Sequence, residues 1–188
     1  MNPFNFITFF YDPFMKFFGL FKPDTIIKHL NPDGSESVLD VAGGTGFLSN
    51  KVRSHVRKVV VLDASRQMLK KAEKYDGLEI CHAFSEDIPF DDETFDAVMC
   101  CDTLHHLTMV DETLSEIKRV LKTNGKLIIV DLKPTGLKGL PMWIIEKVFF
   151  RSSFIKPDSL LLKLEKLNIH GKIFQTGAIE FLFSGRKK

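Results

Sequence analysis

The sequence predicts an α/β fold: a doubly wound sheet of seven strands, five parallel plus a C-terminal antiparallel hairpin, with helices on both faces. Three observations carry this. Apolar runs alternate with amphipathic stretches from residue 38 to residue 132, the pattern of repeated strand–helix units on a parallel sheet. The first run, Val38-Leu39-Asp40-Val41, feeds into the glycine turn Gly43-Gly44-Thr45-Gly46, which opens a helix near Phe47. Two further runs, 172–176 and 179–183, are separated only by Gly177-Ala178, and so short a connection predicts an antiparallel hairpin.

The elements follow in order. Residues 24–30 form a short helix and Asn31-Pro32-Asp33-Gly34 a turn. Strand 38–41 leads to a helix over 47–55, then strand 58–63. Ser65 caps a helix over 65–73. Strand 78–84 and strand 95–101 come next, the latter almost continuously apolar, as in a parallel strand buried on both faces. A helix over 111–121 is closed by Thr123-Asn124-Gly125 before strand 126–132. After Pro134 the pattern changes to helices at 142–150 and 158–167, then the hairpin. With no internal repeat and no low-complexity linker, residues 1–188 are expected to form a single domain: a core at 31–188 and a Phe-rich helical lid at 1–30. Eight of the 18 phenylalanines fall in the first 21 residues, and Phe10, Phe14, Phe17, Phe18 and Phe21 keep helical spacing. This segment reads either as a flap over a ligand cleft or as a surface that touches a lipid-like substrate or a membrane.

Composition bounds the function. Hydrophobic residues make up 44% and charged residues 27%, an ordinary globular balance. A net charge of +2 without a dominant basic block argues against a dedicated nucleic-acid binder, and Gly185-Arg186-Lys187-Lys188 is expected to be a solvated tail. Cys81, Cys100 and Cys101 lack metal-ligand spacing and are expected to be reduced core residues, which implies a cytoplasmic home. No leader and no apolar run of membrane-spanning length is visible. Asp91-Asp92-Glu93 reads as a solvated turn, and no metal site is expected.

The chemistry concentrates around the glycine turn. Glycines let backbone N–H groups approach a ligand closely, and the helix that follows adds exposed donors and a partial positive charge. Asp63 ends the second strand 20 residues past Gly43, the spacing at which a carboxylate reaches ribose hydroxyls. Strand, turn, helix, strand and acid together describe a site for an adenosine-containing ligand at the carboxyl edge of a parallel sheet.

Residues 38–49 and 59–69 resemble the first and second motifs of the class I S-adenosylmethionine-dependent methyltransferases, which share a Rossmann-like sheet. Residues 84–90 resemble that family's adenine-side motif, 96–107 its fourth strand and active-site loop, and 121–127 its turn before the fifth strand. Within the family the chain is most similar to the menaquinone/ubiquinone C-methyltransferase branch, through residues 38–46, Tyr11-Asp12, Leu132-Lys133-Pro134 and Gln175-Thr176-Gly177. It departs from that branch in carrying Thr103-Leu104-His105-His106 after the fourth strand and a shorter segment between Pro134 and Pro157.

The resemblance implies S-adenosyl-L-methionine as cofactor, S-adenosyl-L-homocysteine as product, and a small, partly apolar acceptor. It implies that Gly43, Gly44 and Gly46 pack against the cofactor and that Asp40 meets its ammonium group. Asp63 would accept from the ribose hydroxyls. Asp87 would accept from the adenine amino group, with Ile88 as a backbone donor and Met68 on the adenine face. Ala42, Thr45, Ala64, Glu86 and Cys101 complete the expected cofactor set. Tyr11, Asp102, His105 and His106 are the substrate-side candidates. A histidine there could accept a proton from the acceptor, or His106 could simply hydrogen-bond a neighbouring loop; Asp102 could anchor substrate or cap the loop. Two other readings remain open: an NAD-dependent oxidoreductase, disfavoured by the hairpin and by the lack of a Tyr-x-x-x-Lys pair, and a non-catalytic cofactor-binding protein.

Overall fold

In the computed structural model, the structure describes residues 22–133, 139–140, 143–144, 146–150 and 152–188. Most of the expected lid, residues 1–21, lies outside the described residues, as does Tyr11. The described strands are β1 (Ser37–Val41), β2 (Lys58–Asp63), β3 (Leu78–His82), β4 (Phe95–Cys101), β5 (Leu121–Leu132), β6 (Ile169–Gln175) and β7 (Glu180–Lys187). They form one sheet in the order β3-β2-β1-β4-β5-β7-β6. β1 to β5 are parallel, and β7 is antiparallel to both β5 and β6. This is the expected seven-strand architecture.

Among the described residues the α-helices of six residues or more are α1 (Pro23–Leu30), α2 (Phe47–Val52), α3 (Arg66–Ala72), α4 (Val110–Val120) and α5 (Pro157–Lys166). Strand periodicity sorts the core into two sides. Val38, Val59, Ala97, Met99, Cys101 and Ile128 pack with Ile26 and Leu30 of α1 and Leu48 and Val52 of α2. Leu39, Val60, Val98, Cys100, Leu127, Ile129 and Phe183 pack with Leu114 and Ile117 of α4 and Leu160 and Leu164 of α5. Adjacent Cys100 and Cys101 therefore serve opposite faces, both as free thiols. α3 starts at its predicted cap, Ser65 Oγ accepting from Met68 N–H at 3.3 Å.

Three local expectations are corrected. β3 stops at His82, short of Phe84. α4 runs straight into β5, whose first residue, Leu121, pairs with Phe95; the register then jumps to Ala97 and Lys126, so the predicted Thr123-Asn124-Gly125 turn is an outward loop within one strand. Most clearly, Gly185, Arg186 and Lys187 are not a solvated tail but the end of β7, where they pair with β5 and β6. Lys187 is buried, and its ammonium donates to Leu121 O at 2.8 Å and to Glu93 Oε1 at 3.1 Å. The basic composition that suggested a tail is absorbed by these acceptors.

The hairpin also explains two strand glycines. Gly171 and Gly185 are cross-strand partners, and the Phe183 ring lies where either would carry a Cβ. A Cβ on Gly185 would also stand 2.6 Å from His170 O. Gly185→Ala should therefore cost about 1–3 kcal/mol by overpacking. A lower urea midpoint with an unchanged m-value is the expected outcome; because Gly185 pairs with Leu127 near the amino end of β5, the site at the other edge should be unaffected.

Candidate functional site

The strand order reverses between β1 and β4, and ligands of open α/β sheets bind at the carboxyl ends of strands beside such a reversal. β1 carries Asp40 to this point, 2% exposed, with Ser49 Oγ of α2 donating to its Oδ2 at 2.6 Å. The chain then folds back over that carboxylate. A Cβ at position 43 would lie 2.5 Å from Asp40 Oδ2, which is why glycine stands there. Gly43 N–H donates to Leu62 O at 3.1 Å, tying the turn to β2. The turn passes through left-handed conformations at Ala42, Gly44 and Gly46, with φ of 53°, 57° and 70°. Ala42 holds this conformation with a side chain, a local strain of the kind found at ligand sites.

Asp63, at the end of β2, spans two loops. Its Oδ2 accepts from Gly44 N–H at 2.9 Å and its Oδ1 from Ser65 N–H at 2.7 Å. Burial raises its pKa, against the pull of those two donors. Burial likewise pushes Asp40 up to about 7, against the Ser49 hydrogen bond.

Beyond β4 the chain turns sharply at Asp102, φ 52°, whose N–H donates to Val130 O at 2.8 Å. Its carboxylate is buried, and neither oxygen has a hydrogen-bond partner among the described residues. Burial pushes Asp102 up to about 7, with nearby His105 pulling down. Two small hollows meet here. One is lined by Asp40, the turn at 42–45 and Phe47, the other by Lys22, Ile26, Asp102 and Thr176, and both share Leu48 and Cys101. Thr45, buried at 2%, belongs to the first.

The two loop histidines stand in different surroundings. His105 is buried, its Nδ1 bonded to the Asp131 carboxylate and its Nε2 3.6 Å from Glu146 Oε2. Burial opposes its charge, but Asp131, Glu146 and Asp102 outweigh it and raise its pKa. His106 Nδ1 is 3.1 Å from Ser152 Oγ, as in the reading of a histidine that bonds a neighbouring loop. Burial and adjacent His105 push its pKa down to about 2, far from that of an effective base. Glu146 opens a π-helical turn, Glu146–Phe150, and accepts from Ser152 Oγ at 2.7 Å.

On the adenine-side loop, Phe84 is 61% exposed and Asp87 is exposed. Glu86 accepts from Ser85 Oγ at 3.2 Å. The Ile88 N–H, expected to donate to a ligand, instead donates to Glu116 Oε2 at 2.9 Å, and its side chain lies in the core. Arg119 of α4 closes the same loop by donating to Ile88 O and Phe90 O. Met68 is buried at 3% exposure, and Ala64 O meets His82 Nε2 at 3.1 Å. Asp131, Glu146 and Ser152, which surround the two histidines, were not singled out in the sequence reading.

Residues 39–129 match the family model described as a methyltransferase domain. The ubiquinone/menaquinone biosynthesis C-methyltransferase of Hahella chejuensis is 37% identical over 111 residues, 53% of this chain and 45% of that protein. Its counterpart in Rhizobium rhizogenes is 31% identical over 143 residues, 70% of this chain and 54% of that protein. The chain thus spans about half the length of these curated relatives. A solved structure of a SAM-dependent methyltransferase from Aquifex aeolicus shares the fold with a TM-score of 0.69 at 25% identity, covering 90% of this chain and 91% of that one.

The buried acids set a pH dependence for the ligand-free protein. An acid whose folded pKa lies above its unfolded value of about 3.9 contributes stability below that value and loses it as pH rises through the folded pKa. For Asp102 that loss falls between about pH 4 and 7. Asp102→Asn should leave the melting temperature almost unchanged at pH 4 and raise it by a few degrees at pH 8, read by calorimetry across that range.

Proposed function

Through residues 39–129 the chain belongs to the class I S-adenosylmethionine-dependent methyltransferases, and from that premise we propose that it transfers the methyl group of S-adenosyl-L-methionine to a small, partly apolar acceptor. The observation that carries the reading is the set of acids around the glycine turn. Asp40, Asp63 and Asp102 stand at one sheet edge, and none is in an ion pair among the described residues. Their charges suit a ligand with an ammonium, a sulfonium and one carboxylate, which is a net cation. When bound, the donor supplies a methyl group activated by its positive sulfur.

In this reading Asp40 holds the ammonium and Asp63 uses its remaining lone pairs on the ribose hydroxyls. Asp87 and the open face of Phe84 take the adenine. Asp102 is the residue best suited to meet the acceptor: its carboxylate is buried, unpartnered and lines the adjoining hollow. His105 and His106 are then positioning groups rather than bases, because His105 is locked on Asp131 and His106 is held neutral. Tyr11 and the Phe-rich segment keep their proposed place as substrate contacts and lid. No described helix is long and apolar enough to cross a membrane, and the unpaired cysteines support a cytoplasmic setting. The antiparallel β7 beside β5 speaks against the dinucleotide-binding arrangement, which adds a sixth parallel strand there.

S-adenosyl-L-homocysteine at about 100 times its dissociation constant should stabilise the protein by roughly 2.7 kcal/mol, visible as a higher melting temperature. Asp63→Ala should abolish the shift. A shift with NAD and none with S-adenosyl-L-homocysteine would refute the reading.

A second outcome follows from Asp40. A ligand ammonium binds the ionised carboxylate, so below pH 7 it must first displace a proton. Affinity for S-adenosyl-L-homocysteine, measured by calorimetry, should rise with pH and level off above about pH 7 to 8, whereas Asp40→Asn should bind weakly with a flat profile.

A further inference from the structure

The cluster beside Asp102 has a hydrogen-bond pattern that fixes where its lone pairs lie. Ser152 Oγ has one proton and donates it to Glu146 Oε2 at 2.7 Å, so toward His106 Nδ1, 3.1 Å away, it can only accept. That places the His106 proton on Nδ1 and a lone pair on Nε2. The Asp131 carboxylate accepts from His105 Nδ1 and sets the same tautomer in the neutral second ring. Both Nε2 atoms stand near the same Glu146 oxygen, at 3.6 and 3.8 Å, too far for hydrogen bonds to it. The three ligand atoms all lie within 4.8 Å of one another. Ligands about 2.0–2.2 Å from one tetrahedral ion stand roughly 3.3–3.6 Å apart, so only a small closure would bring these three onto a shared centre.

We propose that His105, His106 and Glu146 form a binding site for one divalent transition-metal ion of the zinc class. Two imidazoles and one carboxylate are a borderline donor set that suits zinc, cobalt, nickel or ferrous iron over magnesium or calcium. Each ligand has an outer partner: Asp131 orients His105, and Ser152 orients both His106 and Glu146. Such carboxylate–histidine and hydroxyl supports hold metal ligands in place and raise their basicity. Ser153 N–H donates to His105 O at 2.7 Å, and the Phe154 ring stacks on His105 with centroids 5.7 Å apart, screening the cluster. Asp102, Asp131 and Glu146 surround two imidazoles, so the local charge favours a cation. Three protein ligands leave a coordination position for water or a small molecule. The π-helical turn that presents Glu146 is a departure from regular helix often found at functional sites.

The test uses the full chain, stripped with chelator and titrated with ZnCl2, and it is read on protein and metal alone, so it stands or falls apart from the methyl-transfer reading. One equivalent of zinc should remain after gel filtration, with proton release and a higher melting temperature. Glu146→Gln, nearly isosteric and still able to accept from Ser152, should bind at least tenfold more weakly. Asp131→Asn should bind about 10–100-fold more weakly through loss of outer support. Circular dichroism in chelator checks that each variant folds. Cobalt gives a readout independent of any variant: the wild type should show the intense visible bands of low-coordinate Co2+. A spectrum that stays that of the aqueous ion, failure to retain zinc, or retention of equal strength in the folded Glu146→Gln and His106→Ala variants would each overturn the proposal.

Discussion

The close approach of the backbone at Gly43 to the carboxylate of Asp40 is the constraint on which the carboxyl edge depends. The chain can leave β1 and turn back across its own acid only because position 43 has no side chain. Once the turn lies there, Gly43 and Gly44 can reach β2, one through Leu62 O and the other through Asp63. Asp63 in turn holds Ser65, the cap of α3. A single contact thus sets the positions of two strands and two helix starts, and any ligand that sits on the turn meets donors and acids already fixed in place.

The same edge is electrostatically costly without a ligand. Asp40 and Asp102 are buried, and Asp102 combines an unpartnered carboxylate with a left-handed backbone. Groups that cost free energy in the fold and persist are expected where binding repays the cost. The His105–Asp131 pair is different in kind: its two members bond each other inside the protein, although the second Asp131 oxygen has no partner among the described residues.

Most of the fold was legible in the sequence because its signals are local. β4 was bounded to the residue by its almost continuous apolar run, and α3 by its serine cap. The glycine turn and Asp63 were legible for the same reason, lying at fixed offsets within one strand–helix–strand unit. What was missed depends on tertiary pairing. Glu146 reaches His105 and His106 from 40 residues downstream, across a change of pattern, and nothing near Glu146 announces it. Asp131 did leave a trace, as the lone charge in the otherwise apolar run 127–132; a carboxylate there needs a buried partner, and His105 is that partner. The four C-terminal residues misled because basic composition usually marks a solvated end, whereas Lys187 finds Glu93 and a backbone carbonyl.

The placement of β7 has a kinetic consequence. It is the last of the described strands in sequence, yet it lies inside the sheet between β5 and β6. During synthesis, β5 would keep a bare row of donors and acceptors until residues 180–187 had been made, although its other neighbours would already be available. β6, made earlier, has no described strand to pair with before then. The sheet therefore closes late and through contacts distant in sequence, a slow step that leaves β5 exposed as a template for mispairing while the chain waits.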